Sequence, residues 1–463
     1  MKHITVMTST ATLGLMAIFL VDLADMYFLS LLGETELAAA IGYAGSILFF
    51  TTSISIGIAI AMGALVARAI GAGEEERARR YVGTVGLFAL LVTIPIALVI
   101  WLTVPFFLTA LGAEGRAHEL ASDYLRIIVP SMPVLALAMA GGGVLRAIGD
   151  PKRAMYSTLI GGLVNAALDP LFIFTFGLGV QGAAIASVLS RFAVLIVSLI
   201  GVVKVHRMIK PCSLQHVRED LGLISKIAGP AVLTNVATPV GNAYVTASIA
   251  QFGDGPVAGY SVIGRIIPVA FGAVFAMSGA IGPIVGQNFG ASKLDRVSRA
   301  LAQALLLLVL YTGVVSLLLY LAQGQIASLF NTGEDAAGLI AFFCTFIALT
   351  FIFNGALFTA NAAFNNLGKP QWSTFANWGR STLGTIPFAW LGAHYLGAEG
   401  VLAGQALGGI VFGLIAITAA FRLIRRLDPP IDLPQEQRTG WSFRVPIAAH
   451  TPIRGWMGLF RND

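Results

Sequence analysis

Three aspartates lie inside long apolar stretches of this chain, where a charged side chain is costly. They are Asp22, Asp25 and Asp169. A carboxylate deep in a lipid bilayer is strongly disfavoured unless it faces an interior cavity or a polar partner. Burial and a neighbouring carboxyl group both favour the neutral, protonated form. The three side chains are therefore candidates for groups that bind and release a proton within the membrane.

The sequence around Asp169 indicates how such a proton would be sensed. Asn165 and Asp169 are four residues apart and share one face of a helix. Pro170 has no amide hydrogen to donate to the carbonyl of Ala166, which predicts a bend beside Asp169. We hypothesise that protonation of Asp169 straightens this bend and changes the shape of a nearby cavity.

A purely structural role is the alternative for these aspartates. They would then pair with basic residues or cap helices. Asp22 fits this alternative best, because it lies about one helical turn from Asp25 and has Arg191 as a possible partner.

The composition places these side chains in a membrane protein. Of 463 residues, 57% are hydrophobic and 11% are charged, and the mean hydropathy is +0.82. Soluble proteins carry about 25% charged residues, because their surfaces are hydrated. The net charge of +6 is spread over short loops, which argues against a nucleic-acid partner. We expect an all-α membrane protein.

Apolar runs long enough to cross about 30 Å of hydrocarbon recur along the chain and predict twelve transmembrane helices. The predicted spans are 5–32, 38–69, 81–108, 120–147, 153–178, 181–206, 223–251, 257–288, 297–323, 336–366, 371–396 and 399–424.

The charges of the connecting loops alternate along the chain. One set of loops is basic and includes Arg77, Arg79, Arg80, Arg153, Lys204, Arg207, Lys293, Arg296 and Lys369. The other set carries Glu34, Glu36, Glu114, Asp254, Glu334, Asp335 and Glu399. Because loops rich in Lys and Arg remain in the cytoplasm, both termini are predicted to be cytoplasmic. The protein is then a multi-pass protein of the cytoplasmic (inner) membrane.

Short motifs recur in the two halves of the sequence at a nearly constant offset. Ile70-Gly71-Ala72 matches Phe289-Gly290-Ala291, and 289 − 70 = 219. Ile148-Gly149-Asp150-Pro151 matches Leu367-Gly368-Lys369-Pro370, and 367 − 148 = 219. A third pair of motifs is offset by 399 − 181 = 218. Such offsets across separate loops predict that the chain consists of two homologous halves.

Each half carries six predicted helices, so both halves have the same orientation in the membrane. We predict an N-terminal lobe of residues 1–206, a cytoplasmic linker of 207–222, a C-terminal lobe of 223–426 and a cytoplasmic tail of 427–463. Bilobed bundles of this kind alternate between inward-open and outward-open states around a central cavity. The duplication therefore favours a transporter. The sequence contains no phosphate-binding loop with a GK[ST] motif, so we do not expect ATP to be the direct energy source.

Several stretches resemble the multidrug and toxic compound extrusion (MATE) family. Val285-Gly286-Gln287-Asn288-Phe289-Gly290-Ala291 resembles a signature of that family, and so does Tyr124-Leu125-Arg126-Ile127. Two further stretches resemble the same family. One is Asp25 followed by Leu37-Ala38-Ala39, and the other is Asn165-Ala166-Ala167-Leu168-Asp169-Pro170 followed by Gly182-Ala183-Ala184. The resemblance covers roughly residues 10–425. It implies a twelve-helix fold of two six-helix lobes, related by a parallel pseudo-two-fold repeat, and antiport of organic, often cationic, compounds against H⁺ or Na⁺.

The resemblance also implies where the coupling ion binds. Some branches of the family carry carboxylates in the seventh and tenth helices, but the C-terminal half here has no acidic residue in the interior of its predicted spans. This is similar to the DinF-like or archaeal-like branch, whose coupling site is in the N-terminal half. The resemblance adds Ser187 to Asp22, Asp25, Asn165 and Asp169. Oxygen atoms of Asp25, Asn165, Asp169 and Ser187 would equally suit Na⁺, so the sequence leaves both ions open.

Candidates for substrate contact come from both halves. Met26 offers an adaptable apolar wall in the N-terminal half. Polar and aromatic residues of the predicted seventh and tenth helices supply the others, namely Asn235, Asn242, Tyr244, Asn354, Phe358 and Asn361. Ordinary packing is the alternative for such residues. Arg126, Arg265 and Arg380 also lie within predicted spans, and the sequence assigns them no role.

These features favour a secondary antiporter that exports organic, often cationic, small molecules in exchange for H⁺ or Na⁺ by rocker-switch alternating access. An exporter or flippase of lipid-linked compounds or metabolites from the same superfamily is the alternative. A channel or membrane-embedded enzyme is a third reading. We expect no catalytic site, no cofactor besides the coupling ion, small-molecule substrates, no nucleic-acid partner and a monomer in the lipid bilayer.

Overall fold

The computed structural model describes residues 2–30, 36–329 and 333–427. Within these ranges the chain is almost entirely helical and contains no β-strand. Except for Leu427, the predicted tail of 427–463 lies outside the described residues. The all-α fold class expected from the composition is confirmed.

The N-terminal half, which we call the N-lobe, contains seven α-helices in its described residues. They are α1 Lys2–Ser30, α2 Glu36–Gly71, α3 Glu75–Ala110, α4 Gly115–Ile128, α5 Met132–Ala147, α6 Pro151–Pro170 and α7 Gly179–Leu199. A 3₁₀ turn, Val129–Ser131, joins α4 to α5 within one membrane crossing. π-Helical segments extend α6 over Leu171–Thr175 and α7 over Ile200–Val205.

The C-terminal half, the C-lobe, contains eight α-helices in its described residues. They are α8 Leu214–Ala250, α9 Asp254–Ala270, α10 Gly272–Gly290, α11 Leu294–Leu329, α12 Glu334–Phe342, α13 Phe351–Asn366, α14 Pro370–Ser381 and α15 Ile386–Arg426. The backbone N–H of Ser213 donates to His216 Nδ1 at 3.2 Å and caps the start of α8. Residues 214–222 of the predicted linker are therefore already helical.

The helices account for the predicted number of membrane crossings. In the described ranges, ten helical stretches are long and apolar enough to span a membrane, and the pair α9 and α10, bent by 44°, makes an eleventh. One of the ten, Pro370–Arg426, has 57 residues. A straight helix of that length would measure about 86 Å, far more than the roughly 30 Å of a hydrocarbon core. This stretch must cross twice, which gives twelve crossings.

A turn at Gly397 divides that long stretch into two antiparallel arms. Gly397 has φ 62°, a left-handed conformation that favours glycine. A Cβ atom on Gly392 would lie 2.0 Å from the carbonyl oxygen of Gly400, so the two arms are in backbone contact. The arms correspond to the spans predicted at 371–396 and 399–424.

The helix boundaries repeat with the offset found in the sequence. Adding 219 to the bounds of α3, 75–110, gives 294–329, the bounds of α11. Adding 219 to the bounds of α5, 132–147, gives 351–366, the bounds of α13. Gly149 and Gly368, also 219 residues apart, have similar left-handed φ values of 88° and 83°. The repeated motifs therefore reflect a repeated structure.

The first helix of each lobe begins in the core of the other lobe. Ile4 and Met7 of α1 are buried in the hydrophobic core of the C-lobe. Ile224 and Ile227 of α8 are buried in the core of the N-lobe. We call the membrane face at which α1 and α8 begin the terminal face. This reciprocal packing joins the two lobes there.

Candidate functional site

Asp25 of α1 and Asp169 of α6 lie on either side of the Asn165 side chain. Asn165 Nδ2 donates to Asp25 Oδ1 at 2.9 Å and to Asp169 Oδ2 at 2.5 Å. The two carboxyl groups also interact with each other directly. The structure thus brings together three of the predicted coupling residues, and we call Asp25, Asn165 and Asp169 the carboxylate cluster.

The carboxylate cluster is shielded from solvent. Asp169 is 0% exposed and Asn165 is 3% exposed, while Asp25 is half-buried. Oδ1 of Asp169 is buried and has no hydrogen-bond partner among the described residues. A buried acceptor without a donor is unfavourable, and two ionised carboxylates side by side repel each other. A proton or a metal cation bound between the two groups would remove both penalties.

The helix that carries Asp169 changes its winding immediately after this residue. α6 ends at Pro170, and the following residues, Leu171–Thr175, are π-helical. The missing N–H of Pro170 removes a backbone hydrogen bond from the last turn of α6. π-Helical segments within α-helices are often found at functional sites. The irregularity falls where the sequence predicts a bend, and the response of this segment to protonation stays a prediction.

Tyr124 of α4 lies near the carboxylate cluster but is not among the predicted site residues. Its hydroxyl forms a hydrogen bond with Ser187 of α7, and its side chain is close enough to interact with Asp25 and Asp169. Tyr124 therefore links Ser187, which the family resemblance adds, to the neighbourhood of the carboxylate cluster. In the sequence, the feature that could have marked Tyr124 as a site residue is its position in the family-like stretch Tyr124-Leu125-Arg126-Ile127.

Arg191 of α7 has polar partners other than a carboxylate. Its Nη1 donates to Ser131 Oγ at 2.7 Å and to the carbonyl of Ile128 at 3.2 Å. The suggested pairing of Arg191 with Asp22 has no test here, because the side chains of Asp22 and Met26 lie outside the described residues.

Three of the predicted substrate contacts lie on α8 of the C-lobe. Asn242 Oδ1 accepts a hydrogen bond from Gln405 Nε2 at 3.1 Å. The hydroxyl of Tyr244 donates a hydrogen bond to the carbonyl of Ile386 at 3.5 Å. Asn235 donates to a carbonyl of its own helix at 2.8 Å. These are contacts within the C-lobe, so a role in substrate binding stays a prediction.

The other three predicted contacts lie on α13. Asn354 Oδ1 and Asn361 Oδ1 are both buried without a hydrogen-bond partner among the described residues. Phe358 packs against Phe275 of α10, with ring centroids 5.6 Å apart. The two unpartnered oxygen atoms show that α13 retains unused polar capacity inside the C-lobe.

Arg380 of α14 is a largely buried cation in the C-lobe. Its Nη2 donates to Thr238 Oγ1 at 2.9 Å, and its Nε is buried without a partner among the described residues. Arg380 is separated by ten residues from the start of α14 at Pro370, which is about 15 Å along the helix axis. It therefore lies near the middle of a hydrocarbon core of about 30 Å. A cation at this depth is a candidate functional group.

Two glycines bring α2 of the N-lobe and α10 of the C-lobe into backbone contact at the terminal face. A Cβ atom on Gly71 would lie 2.0 Å from the carbonyl oxygen of Gln287. A Cβ atom on Gly290 would lie 2.1 Å from the carbonyl oxygen of Arg68. Because 290 − 71 and 287 − 68 both equal 219, the two contacts are related by the internal repeat.

The side chains beside these glycines connect each lobe to a helix end of the other. Arg68 Nε and Nη2 donate to the carbonyls of Asn366 and Asn365, each at 2.6 Å, at the C-terminal end of α13. Gln287 Nε2 donates to the carbonyl of Ala147, at 2.7 Å, at the C-terminal end of α5. We call Arg68 and Gln287 with these carbonyls the interlobe latch. It supplies donors to helix-end carbonyls that lack partners within their own helices.

Comparison with known proteins assigns a family to this architecture. The sequence profile of the MatE family matches residues 11–171 and 230–391. The two matches begin 230 − 11 = 219 residues apart, which is the offset of the internal repeat. Together they cover more than two thirds of the chain.

Individual relatives match over nearly the whole chain. The FAD transporter of Shewanella oneidensis is 27% identical over 425 residues, which is 90% of this chain and 93% of the relative. The multidrug export protein MepA of Staphylococcus aureus is 22% identical over 426 residues, covering 90% and 92%. The crystal structure of a mutant of the Vibrio cholerae MATE transporter VcmN has a TM-score of 0.88 at 26% identity. It covers 92% of this chain and 97% of that one.

Proposed function

This chain belongs to the MatE family, whose members are transporters rather than enzymes, and we propose that it is a secondary antiporter that exports organic, often cationic, small molecules in exchange for H⁺ or Na⁺. It is a multi-pass membrane protein. The family assignment supports transport of small molecules, and the choice of ion and substrate is our proposal. The N-terminal position of the carboxylate cluster agrees with the DinF-like or archaeal-like branch.

The observation that carries the proposal is the carboxylate cluster. Asp25 and Asp169 share one amide donor, and Asp169 Oδ1 has no partner in the described residues. Binding of one H⁺ or Na⁺ neutralises this pair, and its release leaves two adjacent negative charges in a site shielded from water. The two ionic states therefore differ in energy and favour different packing of α1 against α6. Binding and release of the ion can therefore drive the change between the two conformations.

Alternating access supplies the movement that the ion controls. The two lobes meet at the terminal face through the backbone contacts of Gly71 and Gly290 and through the interlobe latch. We infer that these contacts separate in the inward-open state, which admits substrate from the cytoplasm. The basic loops support a cytoplasmic position for the terminal face and an inner-membrane location. One chain carries both lobes, so a monomer suffices.

Transport into proteoliposomes that contain the purified protein tests the proposal. A fluorescent organic cation should move when a pH or Na⁺ gradient is imposed, and collapse of the correct gradient should stop it. Asp25→Asn preserves the size of the side chain but cannot lose a proton, so it should abolish gradient-driven transport. Asp254→Asn, which makes the same change at an exposed aspartate at the start of α9, is the matched control. Gradient-driven transport at the wild-type rate in Asp25→Asn would remove the carboxylate cluster from the mechanism.

A second candidate function, export of an anionic metabolite, is favoured by Arg380. In the described ranges of this lobe, the acidic residues lie near helix starts or beside the turn at Gly397. Arg380 lies deeper, and its Nε lacks a partner among the described residues. The guanidinium group pairs well with phosphate oxygens. One relative is named as a transporter of FAD, a compound that carries a diphosphate. FAD should then compete with the organic cation in the proteoliposomes, and Arg380→Gln should weaken competition by FAD without weakening transport of the cation.

A further inference from the structure

A crevice at the terminal face lies between the two lobes, apart from the carboxylate cluster. It has a volume of about 190 Å³ and is lined by residues of α1, α5, α6 and α10. Among them are Gly14, Thr158, Gly279 and one charged residue, Arg146. Pockets that hold drug-sized molecules usually measure at least about 300 Å³. The crevice is thus suited to a small polar group rather than to a whole exported molecule.

Arg146 is the unusual residue in this crevice. It is half-buried, and its guanidinium nitrogens have no hydrogen-bond or ion-pair partner within the described ranges. No acidic residue lines the crevice. The nearest carboxylate in the sequence, Asp150, accepts hydrogen bonds from Arg153 and His206 instead. A half-buried cation without a counter-charge in a crevice that holds no carboxylate attracts a negative group, so the crevice is suited to an anion.

Two further features of the crevice favour an anionic group. Pro151, the first residue of α6, lines the crevice, and helix N-termini attract negative charge. Arg146 is the penultimate residue of α5, so it lies at the end of a membrane crossing, near the depth of the lipid phosphates. Basic pockets between transmembrane helices at this depth bind phosphate-bearing head groups.

We propose that this crevice binds a phosphate group through Arg146 and thereby holds the two lobes together at the terminal face. The phosphate belongs either to an anionic phospholipid or to a soluble phosphate compound. α1, α5 and α6 belong to the N-lobe and α10 to the C-lobe, so an occupant contacts both sides of the interface. A ligand that binds one conformation better shifts the population toward it. This effect on transport rests on the proposed alternating-access function, whereas the binding itself does not.

Binding can be measured without transport, by thermal unfolding in detergent with added ligand. The additives are phosphatidylglycerol, the zwitterionic phosphatidylcholine as control, and inorganic phosphate. Stabilisation by phosphatidylglycerol alone identifies a lipid ligand, and stabilisation by inorganic phosphate as well identifies a phosphate site open to soluble compounds. Either result supports the proposal if it requires Arg146. Arg146→Gln removes charge-assisted hydrogen bonds and should weaken binding by about tenfold or more.

Two glycine variants keep the proposal testable if Arg146→Gln folds poorly. A Cβ atom on Gly279 would meet nothing within 4 Å, so Gly279→Leu fills the crevice without a clash at its Cβ. It should abolish the stabilisation by the phosphate ligand. Gly324→Leu on α11 makes the same change at an equally open glycine outside the crevice and should leave the stabilisation intact.

The outcomes separate this proposal from the proposed function. Equal stabilisation of the wild type, Arg146→Gln and Gly279→Leu by phosphatidylglycerol would overturn the crevice site. No stabilisation of the wild type by any of the additives would overturn it as well. If the wild-type protein binds the phosphate ligand but shows no gradient-driven transport, the antiporter function is contradicted and the phosphate site stays in place.

Discussion

The two lobes have the same scaffold but different chemistry at equivalent positions. Asp25 in the N-lobe corresponds to Tyr244 in the C-lobe, and Asp169 corresponds to Phe388, each at an offset of 219. In the N-lobe these positions form a pair of carboxyl groups that share the amide donor of Asn165. In the C-lobe they carry a phenol and an apolar ring, so no proton or cation can be held in the same way. A duplicated fold thus supplies one pair of neighbouring carboxyl groups rather than two.

The C-lobe uses the same region for close helix packing. Asn165, the shared donor of the N-lobe, corresponds to Gly384, whose backbone touches that of Gly408. This contact belongs to the glycine-lined hairpin around Gly397. A cation, Arg380, occupies the position that corresponds to Gly161 in the N-lobe. At these positions the N-lobe therefore carries two carboxyl groups, whereas the C-lobe carries a cation and close helix packing.

The largest effect should come from removing the charge on Asp169. Asp169→Asn keeps the shape of the side chain and adds an N–H₂ group, but it prevents ionisation. Gradient-driven efflux from proteoliposomes should fall by at least about tenfold, equivalent to about 1.4 kcal/mol. Thermal stability in detergent should be maintained, because the buried and unpartnered oxygen no longer carries charge.

The matched change in the C-lobe is Phe388→Leu. It alters the equivalent position without changing any charge, and efflux should stay within about twofold of the wild type. A loss as large as that of Asp169→Asn would mean that packing, rather than ionisation, sets the rate. The asymmetry between the lobes would then lose its functional meaning.

A smaller effect, on the population of the open state, should follow when either side chain of the interlobe latch is truncated. Arg68 makes two charge-assisted hydrogen bonds, and Gln287 makes one neutral bond. Charged hydrogen bonds contribute about 1.5–3 kcal/mol each and neutral ones about 1 kcal/mol. Arg68→Ala should therefore shift the population toward the state opened at the terminal face by about tenfold or more, and Gln287→Ala by about fivefold.

Spin labels at Glu74 and Lys293, in a background that lacks Cys212 and Cys344, would measure this opening by double electron–electron resonance. The two label sites are 293 − 74 = 219 residues apart and lie at the terminal face. Equal shifts in both variants would show that the glycine contacts, not the side-chain donors, hold this face closed. No shift in either variant would remove the latch from the gating step.

Local patterns in the sequence predicted much of this architecture. The spacing of Asn165 and Asp169 placed both on one helix face, and the motif offset predicted the repeat that the helix bounds display. The sequence did not predict the place of Tyr124, because its contacts reach residues that are distant along the chain. Nor did it predict that the first turns of α1 pack in the opposite lobe, since hydropathy shows that a residue is buried but not against what.

The smallest expected effect concerns the start of α6 and the equivalent start of α14. Asp150 caps α6, accepting from the Arg153 backbone N–H at 3.2 Å, whereas Lys369 makes no side-chain cap for α14. Burial raises the pKa of Asp150, but hydrogen bonds from His206 and Arg153 outweigh this and hold the pKa below its ordinary value. Asp150→Ala should lower the free energy of unfolding by about 1 kcal/mol at pH 7, and Lys369→Ala by less than about 0.5 kcal/mol.

The contribution of Asp150 should depend on pH. A carboxylate whose pKa is lowered in the folded state stabilises the fold above its unfolded-state pKa, near pH 4, and this contribution is lost as the pH falls further. Thermal unfolding at pH 7 and pH 3 should therefore show a gap between the wild type and Asp150→Ala that shrinks in acid, and a gap independent of pH would assign the effect to the shape of the loop.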